Sequence, residues 1–297
     1  MSRLILNRLY KMMAKDTFLN RKITLNLKGE LLDLSRPCVM GILNLTPDSF
    51  YSNSRMGSID AALERAETCL EEGATFIDIG AYSSRPGADE VSTDEELKRI
   101  IPAITAISKR FPGAKLSVDT FRAKIARESI DAGAHVINDI SGGTLDEAMF
   151  ETVAALNVPY ILMHMRGNPQ TMQKKPVYAN IGLEVADYFT EKISRLRTMG
   201  VKDIILDPGF GFAKNTTHNY QLFNQLENFD LFGLPVLVGI SRKSMIYKLL
   251  GNTAEEALNG TTVLNTIALQ KGASILRVHD VKAAVECISI VEKMQQS

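Results

Sequence analysis

Cysteine is scarce in this chain of 297 residues, and its spacing points away from a cysteine metal site. Cys38, Cys69 and Cys287 are far apart, odd in number and match no metal-ligand pattern. Cys69 and Cys287 fall within helical patterns, where we expect buried thiols. This usage fits a reducing environment, so we predict a cytoplasmic protein.

A charge excess of one sign and a long apolar run are also missing. The 34 basic residues balance 34 acidic ones, which argues against a nucleic-acid partner because such partners favour basic surfaces. No run approaches the roughly 20 apolar residues of a membrane span, so we expect no membrane segment. A hydrophobic content of 45% is ordinary for a globular protein with a large core.

Residues 1–22 carry little structural signal. The segment up to Met12 and Met13 has the pattern of a short basic amphipathic helix. It lacks the apolar centre and cleavage site of a secretory signal. Two alternatives stay open: that the segment is an organellar targeting peptide, and that translation starts at Met12 or Met13. We favour a tail that is disordered or docks elsewhere.

Short apolar runs that end in a polar residue recur from residue 39 onwards. Asp207, for example, follows Ile204-Ile-Leu206 and opens the glycine-rich turn 207–212. Runs that are apolar on both faces are typical of buried parallel strands. We predict eight strands, at residues 39–44, 75–80, 115–119, 135–139, 159–164, 203–207, 235–240 and 273–278.

Helical patterns separate these strands. Ser58 is predicted to cap the first helix, and Thr93 with Glu96 to form a capping box at the second. Later helices are predicted at residues 187–199, 254–270 and 281–294. A doubly wound sheet of six strands would leave units unused. We therefore predict an α/β fold with one domain at 23–297, a single (βα)8 TIM barrel whose N-terminal β-hairpin (23–34) covers its bottom.

Polar side chains at the carboxyl ends of barrel strands are the usual source of an active site, so the chain is predicted to be an enzyme. Two long loops on that face, 45–57 and 81–92, are rich in glycine, proline and polar residues, and we expect them to act as lids. The stretch 165–176 forms a third such connection.

Seven motifs occur in order at the predicted strand ends: Asn44-Leu-Thr-Pro-Asp-Ser-Phe50, Ser84-Arg-Pro-Gly87, Ser117-Val-Asp-Thr120, Ile137-Asn-Asp139, Asp207-Pro-Gly-Phe-Gly-Phe212, Ser241-Arg-Lys-Ser244 and Arg277-Val-His279. Together they resemble the motifs of the dihydropteroate synthase family, from about Ile23 to the C-terminus. Each motif alone is weak, but the ordered set is very specific. One difference is the second loop, Ala81-Tyr-Ser-Ser84, where the family often has Glu-Ser-Thr.

The resemblance implies a pterin-binding barrel of folate biosynthesis. Members join (7,8-dihydropterin-6-yl)methyl diphosphate to 4-aminobenzoate, and they release diphosphate and 7,8-dihydropteroate. The resemblance also implies a Mg²⁺ requirement, a homodimer and a sulfonamide target.

Four polar residues match the hydrogen-bonding edge of a pterin ring. Asp207 and Asp119 supply carboxylate acceptors, Asn138 supplies a mixed donor and acceptor, and Lys243 supplies an ammonium for the ring carbonyl. The competing explanations are helix N-capping for the two aspartates and an ordinary surface position for Lys243.

The diphosphate requires cations and hydrogen-bond donors. We predict that Arg277 and His279 contact it, that Ser84 contacts the pterin diphosphate substrate, and that the Asn44 side-chain oxygen is a ligand of Mg²⁺. Taken alone, His279 would be a structural histidine, but Arg277 lies on the same strand face. The 4-aminobenzoate is predicted to contact Phe50, Ser84, Arg85, Pro86, Phe212 and Ser244. Core packing is the alternative for the two phenylalanines.

The predicted mechanism is substitution at the pterin methylene through a dissociative transition state. Asp119, Lys243, Arg277 and His279 are the predicted catalytic residues, and they act by electrostatics rather than by proton transfer. Two alternatives stay open. A methyltetrahydrofolate-dependent methyltransferase would share the pterin site but would not need the basic motifs, and a non-catalytic pterin-binding scaffold would keep only the fold.

Overall fold

The computed structural model describes residues 23–45, 55–82, 91–167 and 177–296, so the predicted tail at 1–22 lies outside it. A hairpin of β1 (Thr24–Leu27) and β2 (Glu30–Asp33) comes first, as predicted. The barrel strands follow: β3 (Cys38–Asn44), β4 (Phe76–Gly80), β5 (Lys115–Asp119), β6 (Val136–Asp139), β7 (Tyr160–Met163), β8 (Ile204–Asp207), β9 (Leu237–Val238) and β10 (Ile275–Val278).

The eight strands form one parallel sheet in the order β8-β7-β6-β5-β4-β3-β10-β9. A bridge between Leu206 and Val236 joins the two ends of that order and completes the ring. The predicted TIM barrel is confirmed, and the doubly wound alternative is wrong because β10 pairs directly with β3. The predicted strand at 235–240 is shortened to β9, which pairs with β10 through Leu237 and Val238.

Helices lie between the strands. Their bounds are α1 (Arg55–Glu71), α2 (Thr93–Arg110), α3 (Ala123–Asp131), α4 (Met149–Leu156), α5 (Ile181–Thr198), α6 (Thr216–Asn224), α7 (Ser244–Leu250), α8 (Leu258–Gln270) and α9 (Val281–Gln295), with a 3-10 helix at Leu226–Phe232. In the described residues, no helix combines the length and hydropathy needed to span a bilayer.

Two predicted helix starts are wrong. Ser58 lies inside α1, because helical hydrogen bonding begins at Arg55, before the apolar periodicity does. The cap of α2 is Ser92, whose side chain accepts a hydrogen bond from the Glu95 N–H at 3.2 Å. Glu96 does not serve the predicted capping box, because its buried carboxylate accepts from the hydroxyl of Thr120 at 2.8 Å.

Two further boundaries differ from the prediction. Helix α5 starts at Ile181 rather than 187, because Asn180 caps it through the Leu183 N–H at 3.2 Å. Helix α8 starts at Leu258 rather than 254, and the preceding residues form turns.

The N-terminal hairpin covers the bottom of the barrel, as predicted. Leu25, Leu27 and Leu34 are buried there. They pack on inward-facing residues of seven strands: Met40, Phe76, Val136, Ile161, Ile205, Leu237 and Ile275. Apolar contacts of this kind fill the barrel interior from below, so the carboxyl ends of the strands are left for polar chemistry.

A second, larger core lies between the strands and the surrounding helices. It includes the thiols of Cys69 in α1 and Cys287 in α9, which are buried as predicted. Cys38 opens β3, and burial raises its pKa to about 12, so it is an unreactive thiol at neutral pH.

Candidate active site

Polar side chains meet across four neighbouring strands at the carboxyl end of the barrel. Asn44 is in register with Gly80, Gly80 with Asp119, and Asp119 with Asn138. A Cβ atom added to Gly80 would lie 3.7 Å from both Asn44 Oδ1 and Asp119 Oδ2. The glycine therefore leaves space for these two side chains to face the same point.

Asp78 in β4 is the central buried charge, and the sequence pattern did not reveal it. Its Oδ2 accepts hydrogen bonds from Arg277 Nε at 2.6 Å and from Asn138 Nδ2 at 3.0 Å. Among the described residues, nothing bonds to its Oδ1. A signal was present, because Asp78 interrupts an apolar strand and a buried carboxylate requires partners.

Arg277 links Asp78 to Asp119, whose Oδ2 accepts from Arg277 Nη2 at 2.8 Å. Burial raises the pKa of Asp119 to about 7, and Arg277 opposes this shift. Burial would lower the pKa of Arg277, but Asp78 and Asp119 outweigh that effect and raise it. At neutral pH the guanidinium is therefore charged, while Asp119 titrates.

Asp207 ends β8 with one oxygen engaged and one available. Its Oδ1 accepts from the Gly209 N–H at 2.7 Å, and no described residue donates to Oδ2. Burial raises the pKa of Asp207, and Lys243 opposes the shift. The N-capping alternative is wrong for both aspartates, because Asn215 caps α6 and Arg122 occupies the cap position of α3.

The loop that follows Asp207 folds around a buried ammonium. Lys214 Nζ donates to the carbonyl oxygens of Gly209 at 2.9 Å and Phe212 at 3.0 Å, and it lies 2.9 Å from His164 Nδ1. Burial lowers the pKa of Lys214 to about 7, and burial also lowers that of His164 well below its usual range. Neither Lys214 nor His164 was among the predicted site residues.

Lys243 lies against the same loop, so the surface-lysine alternative is wrong. Its Nζ donates to the Phe210 carbonyl at 2.5 Å and sits 4.7 Å from the centroid of the Phe212 ring. Burial lowers the pKa of Lys243 to about 8, and Asp207 opposes the shift. Ser244, the next residue, is the first residue of α7.

His279 lies just beyond β10 and is held at three points. Ser241 Oγ accepts from its backbone N–H at 3.2 Å and lies 3.1 Å from its Nδ1, while Arg65 Nη2 donates to its carbonyl at 2.6 Å. Burial and the nearby Arg277 lower the pKa of His279 to about 4, so the ring is neutral at pH 7. Beside it, Arg242 donates two hydrogen bonds to Asp280, at 2.9 and 2.6 Å.

The chain is similar to known proteins along almost all of its length. The family model for pterin binding enzymes matches residues 40–279. The dihydropteroate synthase of Escherichia coli (strain K12) is 48% identical over 267 residues, which is 89% of this chain and 94% of that protein. The chain belongs to the dihydropteroate synthase family of pterin-binding enzymes.

Solved structures of the family share the whole fold. The Yersinia pestis dihydropteroate synthase was determined with a sulfonamide drug complex. It superposes on this chain with a TM-score of 0.85 at 45% identity, and the match covers 92% of this chain and 99% of that one. The Xanthomonas albilineans dihydropteroate synthase with 4-aminobenzoic acid has a TM-score of 0.85 at 38% identity, with coverage of 92% and 98%.

Family membership makes this protein an enzyme, a dihydropteroate synthase that acts as a transferase in folate biosynthesis. The alternatives of a methyltransferase and of a non-catalytic scaffold receive no support from these relatives. The buried polar groups at the barrel mouth agree with catalysis, because a scaffold would have no use for paired charges that are costly to bury.

The structure brings most of the predicted site residues together. Asp78 joins Asn138 to Arg277, and Arg277 joins Asp78 to Asp119. Asp207, Lys243 and Phe212 meet at the loop after β8. Four of the predicted residues, Phe50, Ser84, Arg85 and Pro86, lie outside the described residues, as does most of both predicted lid loops.

A divalent ion at Asn44 would take most of its ligands from water and from the phosphate oxygens of the enzyme's substrate. In the described ranges, no group of three or more histidine, cysteine, aspartate or glutamate residues is arranged to hold a metal. Asn44 Oδ1 faces the same point as Asp119, which fits an ion held by one protein oxygen, water and phosphate oxygens.

Proposed function

We propose that the carboxyl end of the barrel, within a single domain at 23–297, condenses (7,8-dihydropterin-6-yl)methyl diphosphate with 4-aminobenzoate to give 7,8-dihydropteroate and diphosphate. The observation that carries this proposal is the convergence of Asp119, Asn138, Asp207 and Lys243 beside the basic end of β10. These four residues suit a pterin ring, and Arg277 and His279, at the end of β10, suit an anionic leaving group.

Pterin recognition follows from the hydrogen bonds already made inside the site. Asn138 donates its amide to Asp78, so its carbonyl oxygen is the group that faces a ring amine. Asp207 Oδ2 accepts from a second donor of the same edge, and Lys243, 2.5 Å from the Phe210 carbonyl, meets the ring carbonyl. Fixed partners hold these groups in place before the ligand arrives, which favours binding.

Catalysis in this proposal is electrostatic. The carbon–oxygen bond of the pterin methylene breaks as diphosphate departs, and Arg277 and His279 stabilise the growing negative charge. The pterin ring spreads the positive charge that remains, and ionised Asp119 lies near it. The arylamine is neutral at pH 7, so it attacks the methylene carbon without a dedicated base, and the nitrogen then releases its proton to water or to the departed diphosphate.

The site for 4-aminobenzoate is proposed to combine residues that the structure describes with four that lie outside its described ranges. Phe212 and the N-terminus of α7 at Ser244 flank Lys243, and they suit an aromatic ring and its carboxylate. Phe50, Ser84, Arg85 and Pro86 are proposed to complete this site. The Xanthomonas albilineans relative carries 4-aminobenzoic acid, and the Yersinia pestis relative a sulfonamide complex, so we propose that sulfonamides compete for the same space here.

Mg²⁺ is proposed as the cofactor, with Asn44 Oδ1 as the ligand from the protein. When bound, it would supply positive charge to the diphosphate oxygens. Arg277, which already spans Asp78 and Asp119, would then share the anion with it. Removal of the ion should therefore abolish turnover and leave the pterin contacts of Asp207 in place.

We also propose a homodimer that acts in the cytoplasm. Exposed apolar side chains gather on three successive helices: Leu249 and Leu250 on α7, Leu258 and Val263 on α8, and Ile290 and Met294 on α9. Such a surface is typical of a self-association site. The cytoplasmic assignment rests on the three free cysteines.

The decisive experiment is dihydropteroate formation by the purified protein from both substrates, with Mg²⁺ and with chelator. Product and diphosphate in equal amounts, only with Mg²⁺, are expected. Product formation that survives chelation would remove the metal from the proposal. A folded protein that makes no product with Mg²⁺ would overturn the proposed reaction.

A further inference from the structure

Ser241, which has no catalytic role, contacts the ring of His279. It follows β9 and is buried, whereas His279 follows β10 and is half-buried. Its hydroxyl oxygen lies 3.2 Å from the backbone nitrogen of His279 and 3.1 Å from the ring Nδ1. One side chain therefore contacts both the backbone and the ring of the histidine.

The hydrogen bonds around Ser241 decide which ring nitrogen carries the proton. A hydroxyl has one hydrogen to donate and two lone pairs to accept with. The backbone N–H of His279 occupies one lone pair. In the described part of the chain, Nδ1 is the only acceptor within hydrogen-bond reach of the hydroxyl hydrogen. If Nδ1 carried the proton, this buried hydroxyl hydrogen would lose its partner, which is unfavourable.

The opposite edge of the ring is then a donor. With Nδ1 accepting from Ser241, the proton of the neutral imidazole resides on Nε2. The ring stays neutral because burial and the neighbouring cations lower its pKa to about 4. No described residue bonds to Nε2, so this N–H is available to a ligand.

Two further contacts keep this edge in place. Arg65 donates to the carbonyl oxygens of Ile42 at 3.4 Å and of His279 at 2.6 Å, which ties the end of β10 to β3. Arg242, beside Ser241, is in the left-handed region with a φ of 55° and donates twice to Asp280. The Ser241–His279 and Arg242–Asp280 contacts thus join the turns after β9 and β10 twice, and the backbone that carries the His279 ring is held in place.

We propose that Ser241 is a positioning residue that fixes His279 as the Nε2–H tautomer, so that the ring presents a donor to the departing diphosphate. The proposal rests on the proposed function, because that function supplies the anion. In the other tautomer, a nitrogen lone pair would face the phosphate oxygens and repel them, and a flipped ring would present a C–H group in place of the N–H donor.

The test compares Ser241→Ala with Ser241→Thr, which keeps the hydroxyl. Ser129→Ala is the matched control, because Ser129 is also buried and its hydroxyl has no hydrogen-bond partner among the described residues. Thermal unfolding shows that each variant is folded. Long-range ¹⁵N–¹H correlation spectra of the ligand-free protein report the tautomer of His279, with its signals assigned by His279→Gln.

The expected spectrum of the unmodified protein has the proton on Nε2, and Ser241→Ala shifts it to a mixture of tautomers. Calorimetry with inorganic diphosphate and Mg²⁺ is expected to show affinity weakened severalfold in Ser241→Ala, because only rings that present Nε2–H bind the anion and the apparent affinity falls with their fraction. Affinity for 6-hydroxymethylpterin, which has no diphosphate, should stay within about twofold. Ser241→Thr should restore the spectrum and the affinity.

Two results would overturn the proposal. One is an Nδ1–H spectrum in the unmodified protein. The other is a Ser241→Ala protein that keeps both the Nε2–H spectrum and the diphosphate affinity. Failure of the proposed function has a different signature, because the unmodified protein would then show the Nε2–H spectrum but bind no inorganic diphosphate. That result would keep the positioning of the ring and refute the role of its donor.

Discussion

The charges in the site balance one another at the level of single residues. Arg277 is held between Asp78 and Asp119 at 2.6 and 2.8 Å. Lys243 lowers the pKa of Asp207, and Asp207 raises the pKa of Lys243. Removal of one member of a buried pair leaves the other uncompensated, so single substitutions here should have large effects.

Asp207→Ala should abolish tight pterin binding, because donors on the ligand lose the acceptor at Oδ2. The loss should cost on the order of 2–4 kcal/mol of binding free energy. Calorimetry with a pterin measures it. Asp203→Ala is the matched control, since Asp203 precedes the same strand at its opposite end and accepts from the Asn26 N–H. Near-normal pterin affinity in folded Asp207→Ala would remove this residue from the site.

The pH dependence should report the ionisation of Asp119. Burial raises the pKa of this carboxyl group to about 7, so the negative form that favours catalysis increases as pH rises through 7. We therefore expect kcat/KM to rise with pH and level off above 7, because this ratio reports groups of the free enzyme. Asp119→Asn should be slow and lack this rise.

The same ionisation should affect stability in the opposite direction. A carboxyl group whose pKa is raised from 3.8 to about 7 in the folded state binds its proton more tightly there. Its contribution to the free energy of unfolding is therefore lost as pH rises from about 4 to 7.

The kinetic prediction has its own contradicting outcome. If Asp119→Asn kept the same rise of kcat/KM with pH, that rise would belong to the substrate diphosphate or to another residue.

At the level of elements, the turn after β8 gains its shape from contacts inside the protein. Lys214 reaches back to the carbonyl oxygens of Gly209 and Phe212 and to the ring of His164. Gly209 has a φ of +71°, and its position allows the His164 carbonyl to approach closely. The turn thereby keeps Asp207 at one end and Phe212 at the other in fixed positions.

Gly209→Ala should distort this turn. A Cβ atom there would lie 2.1 Å from the His164 carbonyl oxygen, and the left-handed backbone alone costs about 1–2 kcal/mol in a residue with a side chain. We expect a lower Tm and pterin affinity weakened about tenfold or more. Gly113→Ala is the control, since its Cβ would meet nothing within 4 Å. Unchanged pterin affinity in Gly209→Ala would show that the turn does not position Asp207.

On the scale of the whole molecule, the barrel separates stability from chemistry. Its lower end is filled by the hairpin leucines and the apolar residues of the strands, while its upper end collects the charged side chains. Because the two ends share the strands but few side chains, changes at the bottom should affect folding rather than turnover.

Leu27→Ala tests this separation. Leu27 is 3% exposed and packs under the barrel, so its truncation should leave a cavity and lower the free energy of unfolding by about 2–5 kcal/mol. Denaturant unfolding measures this loss, and KM for both substrates should stay unchanged. The control is Leu31→Ala in the same hairpin. The Leu31 side chain is 69% exposed, so its truncation should change the free energy of unfolding by less than about 0.5 kcal/mol. A large change in KM for Leu27→Ala would contradict the separation.

Much of the architecture could be predicted from the sequence because its determinants are local. Apolar runs closed by polar residues predicted the eight strands, and the alternation of apolar and polar residues within 23–34 predicted the hairpin. Asp119, Asn138, Asp207, Lys243 and Arg277 could be selected because each stands at the carboxyl end of a predicted strand or in the turn just after it. Helix starts were less predictable, as Ser92 and Glu96 illustrate, because a carboxylate can cap a helix or turn inward to Thr120.

Only the tertiary structure determined which of these residues act together. Asp78 joins Arg277, a partner 199 residues away in sequence, and Ser241 reaches His279 across 38 residues, so no local pattern contains either pair. The ionisation of Asp119, Lys214 and Lys243 likewise depends on burial, which the fold creates. Residue type and strand position are written in the sequence, whereas the partner and the protonation state of each group follow from closure of the barrel.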